Sequence, residues 1–154
     1  MTYRYDTERD EWSTLDPMPE PRFGHTSAEF GGLLYSLGGL TRVRDGLSSV
    51  VRFDPASGSW SRVASLSVIR HYLVSFVLGG HLYAAGGTGG PHHGDFTVQS
   101  SVERYDAEAD RWSPVGTMST PRVVASGTVV GEGDVSVGGF DSVISRGERA
   151  QAGR

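Results

Sequence analysis

Residues 52–87 read RFDPASGSWSRVASLSVIRHYLVSFVLGGHLYAAGG, and four marks in that stretch decide the fold: Arg52-Phe53-Asp54, Trp60, Arg70 and Gly86-Gly87. The same marks stand upstream as Arg4-Tyr5-Asp6, Trp12, Arg22 and Gly38-Gly39, and downstream as Arg104-Tyr105-Asp106, Trp112, Arg122 and Gly138-Gly139. In every copy tryptophan follows aspartate by six residues, arginine follows tryptophan by ten, and the double glycine begins sixteen further on. All three tryptophans of the chain are used by this pattern. Asp6 to Asp54 is 48 residues and Asp54 to Asp106 is 52, so the extra four fall after the double glycine, in variable loops at 40–49 and 88–101. A rigid unit with one variable loop is how repeat proteins place diversity on a single face.

The unit reads as strands. Leu33-Leu34-Tyr35-Ser36-Leu37 and His81-Leu82-Tyr83-Ala84-Ala85 are short apolar runs closed by Gly-Gly. Val50-Val51-Arg52-Phe53 and Val102-Glu103-Arg104-Tyr105 mix β-branched, charged and aromatic residues as half-buried strands do. Pro55-Ala56-Ser57-Gly58 carries turn residues, with Asp54 placed to accept from the following amides. Gly31-Gly32 and Gly79-Gly80 separate apolar runs and signal hairpins. No stretch holds apolar residues at helical spacing. The expectation is an all-β repeat of four short strands.

Composition agrees. Glycine, at 22 of 154 residues, is about twice as frequent as in average proteins, without the three-residue period of collagen. A hydrophobic content of 37% is enough to build a core. Fourteen basic against eighteen acidic residues give a net charge of −4 and no basic run, so nucleic-acid binding is unsupported. With no cysteine, disulfides, thiolate metal sites and cysteine nucleophiles are excluded. The opening residues lack an apolar leader, and the apolar region at 71–85 is too short and too interrupted to span a membrane. A cytoplasmic protein with no membrane partner is expected.

The three registered copies resemble the kelch repeat, in which a double glycine, a Tyr-Asp pair and a tryptophan recur at about 50 residues. The resemblance implies a β-propeller, each repeat forming a four-stranded blade. It covers residues 1–140, as repeats at about 1–39, 40–87 and 88–139, and leaves 141–154 as a divergent or disordered tail. With Gly-Gly closing the second strand, residues 1–20 supply the outer half of a blade, 22–64 and 70–116 two whole blades, and 122–139 an inner half. About three blades make an incomplete ring, since propellers have 4–8, so a fragment of a longer kelch protein or half of an assembled one is expected. The third copy also weakens: Asp134 and Val135 stand where Leu82 and Tyr83 do. Arg22, Arg70 and Arg122 are expected to be structural, bonding blade carbonyls or acids.

Catalytic and metal motifs do not emerge. His92-His93 with Asp95 lacks a third ligand at diagnostic spacing, and Gly86-Gly87-Thr88-Gly89-Gly90 lacks the Gly-Lys-Ser/Thr end of a phosphate loop. Propeller glycosidases carry Asp-x-Gly-x-x-Trp turns, whereas aspartate here precedes tryptophan by six residues. Copper radical oxidases with such blades need a cysteine. The expectation is therefore no enzyme, no cofactor and no metal. The resemblance implies instead a protein-interaction module, of the kind that recognises substrates in ubiquitin-ligase adaptors or binds cytoskeletal proteins. Carried over by position, the partner-binding residues are Leu40, Thr41, Arg42, Arg44, Thr88, His92, His93 and Phe140 after the double glycines. Phe23, Gly24, His71, Tyr72, Val123 and Val124 follow the arginines. Arg42 and Arg44 suit a carboxylate or an acidic peptide by forked hydrogen bonds. The alternatives are a half-propeller that self-assembles as a homodimer and, further off, a propeller enzyme acting on carbohydrate.

Overall fold

A computed structural model of the chain describes residues 2–89, 97–130 and 134–141. Each Asp-to-Trp segment folds as an antiparallel hairpin because the aspartate caps its own turn. β1 (Thr2–Asp6) pairs with β2 (Glu11–Leu15), and between them Asp6 Oδ1 accepts from the amides of Glu8 and Arg9 at 3.0 and 3.1 Å. Gly31-Gly32, with φ of 62° and 79°, then joins β3 (Thr26–Phe30) to β4 (Leu33–Leu37). Two positive φ angles in succession match the twist of a tight hairpin. β5 (Val50–Asp54) and β6 (Ser59–Val63) repeat the aspartate turn, Asp54 Oδ1 accepting from Ala56 N at 2.8 Å. The next unit runs through β7 (Val74–Leu78) and β8 (His81–Ala85). A short ladder follows, of β9 (Thr88–Gly89) and β10 (Thr97–Val98), and then β11 (Ser101–Asp106) and β12 (Arg111–Thr117). β13 (Val123–Val130) and β14 (Asp134–Phe140) form the last pair.

The described residues are thus all-β, with two four-stranded antiparallel blades, β3-β4-β5-β6 and β7-β8-β11-β12. The β1–β2 and β13–β14 pairs stand as two-stranded sheets, and among the described residues no pairing closes a ring. The variable loop expected at 88–101 carries the β9–β10 stem. Residues 142–154 of the expected tail lie outside the described residues.

The core lies between the two whole blades. Tyr35, Leu37, Val50, Leu66, Leu73, Leu82, Ala84, Tyr105 and Trp112 form one buried cluster. Tyr105 meets Tyr35 edge-on, with ring centroids 5.8 Å apart. Trp112 is 7% exposed and its Nε1 donates to Ala64 O, at the end of the preceding blade, at 3.1 Å. Trp60 does the same one blade earlier, donating to Asp16 O at 3.0 Å. A large indole with one satisfied polar atom is suited to such a junction.

The double glycines set how closely blades approach. A Cβ on Gly38 would lie 2.2 Å from Arg70 O, and one on Gly86 2.6 Å from Arg122 O, so only glycine fits. The next residue uses that closeness: Gly39 N donates to Arg70 O at 2.8 Å and Gly87 N to Arg122 O at 2.7 Å. The arginines are structural, as expected. Arg70 Nη1 donates to the carbonyls of Gly86 and Ser101 at 2.8 and 3.1 Å, and Nη2 to Ser101 Oγ at 2.7 Å. Arg22 makes the matching bonds to Gly38 and Ser49, and Arg122 Nη1 reaches Gly139 O at 3.2 Å. Arg70 is further paired with the buried Glu103 at 3.0 Å, while Arg22 uses Glu20 at 3.4 Å.

Candidate functional site

Each recurring arginine stands where the chain turns into the next inner strand, and the residue after it meets the residue that follows the same repeat's double glycine. Phe23 pairs with Leu40 and His71 with Thr88 as single antiparallel bridges, and Val123 opposes Phe140. The bridges are well made: His71 N donates to Thr88 O at 2.9 Å and Thr88 N returns to His71 O at 2.8 Å. The recurring segments are thereby collected at the end of the blades where the second strands finish.

The second residue after the arginine is left-handed in all three copies, with φ of 62° at Gly24, 55° at Tyr72 and 51° at Val124. Glycine adopts this freely, whereas tyrosine and β-branched valine do so under strain. The twist turns Tyr72 back onto the neighbouring blade. Its amide donates to Gly24 O, and a Cβ on Gly24 would lie 2.9 Å from the Tyr72 ring. Tyr72 also sits edge-on to His71, with centroids 5.3 Å apart.

A cleft of about 160 Å³ opens here, lined by Phe23, Leu40, Arg44 and Tyr72. Phe23 and Tyr72 remain 41% and 37% exposed. Arg44 is held at φ 66° by a small loop in which its amide donates to Thr41 O at 2.9 Å and Thr41 N donates to Asp45 O at 2.9 Å. Arg42 and Arg44 are exposed and enter no ion pair among the described residues. Two aromatic faces and a cation around a shallow cleft can take an apolar side chain beside a carboxylate.

The structure sorts the residues expected from position. Phe23, Leu40, Arg44 and Tyr72 come together in the cleft, while Phe140 and Val124 are exposed further along the same series. Leu40, His71 and Thr88 are buried, Leu40 while lining the cleft. Burial also pushes the His71 imidazole below its ordinary pKa. His92 and His93 lie outside the described residues. Sequence reasoning missed the strained backbone at Tyr72 and Val124, although Gly24 at the same place in the first copy was its signal. It missed Val43 as well, an exposed apolar residue between Arg42 and Arg44. Among the described residues no cluster of three metal-ligating side chains occurs, and no helix is long and apolar enough to cross a membrane.

Comparison with known proteins gives a consistent picture. A family model described as the Kelch motif matches residues 21–67 and 69–119. Kelch-like protein 9 of Mus musculus is 41% identical over 87 residues, covering 54% of this chain and 14% of that protein. Kelch-like protein 13 of Homo sapiens is 40% identical over 87 residues, covering 54% and 13%. Kelch-like protein 23 of Homo sapiens is 28% identical over 114 residues, covering 74% of this chain and 19% of that protein. The chain therefore spans less than a fifth of these relatives. The solved structure of YjhT superposes with a TM-score of 0.72 at 20% identity, over 81% of this chain and 47% of that one, a likeness of fold.

Proposed function

The chain belongs to the kelch-repeat family, two Kelch motifs matching more than half of its length, and from that premise we propose that its interaction surface binds an acidic peptide segment of a partner protein. The observation that carries this reading is the cleft of Phe23, Leu40, Arg44 and Tyr72, with the exposed Arg42 two residues before Arg44 in the same loop. Aromatic anchors flanked by arginine are the side chains that concentrate binding energy at protein interfaces. With no ion pair to break among the described residues, either guanidinium can turn to a partner's carboxylate. In this reading the chain presents partners as the recognition part of a ubiquitin-ligase adaptor or a cytoskeletal linker, in the cytoplasm, without catalysis of its own.

The test is fluorescence polarisation with labelled peptides carrying Glu or Asp next to a leucine, against neutral counterparts. Acidic peptides should bind more tightly, with affinity falling as salt is raised. Arg42→Ala/Arg44→Ala should weaken binding by about tenfold or more, about 1.4 kcal/mol. Equal binding by the double variant sinks the acidic-peptide reading.

Self-association is a second reading, favoured by one observation. Trp12 is 70% exposed, although its counterparts Trp60 and Trp112 are anchored in neighbouring blades.

A further inference from the structure

The tryptophan and double-glycine contacts between successive blades repeat position by position, and the repetition specifies what an uncovered blade face receives. At the junction of the two whole blades the incoming hairpin β11–β12 brings three groups. Tyr105 meets Tyr35, Asp110 Oδ1 accepts from Ala64 N at 2.8 Å, and Trp112 donates to Ala64 O. Arg52 lies over the same junction, bonded to Tyr35 and in the field of Tyr105 and Asp110. Tyr105 and Asp110 are themselves tied, hydroxyl to carboxylate, at 2.7 Å.

The β1–β2 hairpin carries the same three groups in the same arrangement. The Tyr5 hydroxyl donates to Asp10. Tyr5 and Trp12 rings lie 5.0 Å apart, as Tyr105 and Trp112 lie 5.1 Å apart. Asp10 and Asp110 share the left-handed conformation, with φ of 56° and 44°. Unlike the set on β11–β12, Tyr5 and Trp12 are exposed. The receiving half stands at the other end of the described chain. Tyr83 and Arg104 occupy the cross-strand positions that Tyr35 and Arg52 occupy one blade earlier. β14 pairs only with β13 among the described residues, whereas β4 and β8 each hold an outer hairpin.

We propose that the β1–β2 hairpin of one copy of this chain docks on the Tyr83–Arg104 face of a second copy and adds to its β14 edge. This deepens the self-association reading and rests on it for the occupant. The register follows from the whole blades: Leu37 faces Val50 and Ala85 faces Val102, so Val137 faces Thr2 and Val135 faces Arg4. Mutual exchange completes two blades, which with the two whole blades of each copy makes six. That number is within the 4–8 of closed propellers, and a two-fold ring leaves no free edge to propagate.

The chain contains no cysteine, so Thr2→Cys/Val137→Cys introduces a single pair at the spacing a disulfide needs. Oxidation should give a covalent dimer on a non-reducing gel, reversed by reductant. Sedimentation of the unaltered chain should show a dimer and Trp12→Ala a monomer of unchanged β-sheet circular dichroism. A monomeric unaltered chain overturns both self-association and the exchange. A dimer that persists in Trp12→Ala without the cross-link leaves self-association standing and overturns the exchange, as does a cross-link confined to the monomer.

Discussion

Two of the repeat's left-handed positions are held by non-glycine residues in two copies of three, and the residues chosen there show how a repeat tolerates strain. Four residues after the turn aspartate stand Asp10, Gly58 and Asp110, with φ of 56°, 70° and 44°. Aspartate tolerates this region better than most side chains, and in two copies its carboxylate also accepts from Tyr5 or Tyr105. Where Phe53 replaces the tyrosine the hydroxyl is gone, and the aspartate has become Gly58. Tyr72 and Val124 have no such compensation. A left-handed conformation at a non-glycine residue costs about 1–2 kcal/mol, and strain of that kind gathers at functional surfaces. Val124 is 57% exposed and gains little from packing. Val124→Gly should therefore raise stability by about 1 kcal/mol net of the entropy glycine adds to the unfolded chain. Gly24→Ala should lower it, since the new Cβ meets the Tyr72 ring. Urea denaturation checks both, and a Val124→Gly chain no more stable than the unaltered one would remove strain from the account.

Among elements, the outer hairpin is the unit that docks one blade on the next, and its tryptophan does the anchoring. Trp112→Ala empties a buried site and breaks the bond to Ala64 O, so it should cost about 3–5 kcal/mol. Trp12→Ala, at the equivalent but exposed position, should cost the isolated chain no more than about 0.5 kcal/mol. Parallel denaturant titrations at low protein concentration compare them; equal losses would mean that Trp12 is covered in solution. This contrast also marks what the sequence could reveal. The Asp, Trp, Arg and Gly-Gly positions were legible because their roles are met inside one repeat or at its fixed distance from the next. Four-stranded blades followed from them. Glu103 was not legible as a buried ion pair, because its place is Val51 in the preceding copy and its partner Arg70 lies across the blade. Nor was the burial of Leu40, His71 and Thr88. Each sits in a one-residue bridge, too short for strand alternation to show which way a side chain points.

At the scale of the whole molecule, charge ties stability to pH from both sides. His25 and His71 sit near the starts of consecutive inner strands. Burial lowers the pKa of both below 6.5, and for His25 the nearby Arg22 adds to the effect. A depressed folded-state value means that the unfolded chain takes up protons first, so stability present above 6.5 is lost as pH falls below it. Further down, Asp54 and Asp110 are held below 3.8 chiefly by the amides of Ala56 and Ala64. Protonating them weakens the turn cap at Asp54 and the bond from Ala64 to Asp110 across the blade junction, although their exposure keeps that contribution small. Tyr105 works in the opposite direction. Burial, then its bond to Asp110, raises it above 10.0, so stability is present below that pH and lost as the unfolded phenol ionises above it. The molecule should therefore be most stable between about pH 6.5 and pH 10 and weaken on either side. Denaturant midpoints measured across that span test it. His25→Gln/His71→Gln should flatten the limb between about pH 6.5 and pH 5, whatever its effect on absolute stability, and Tyr105→Phe the alkaline one. An unaltered chain with one midpoint from about pH 7 to pH 5 would show that neither imidazole is kept neutral by the fold.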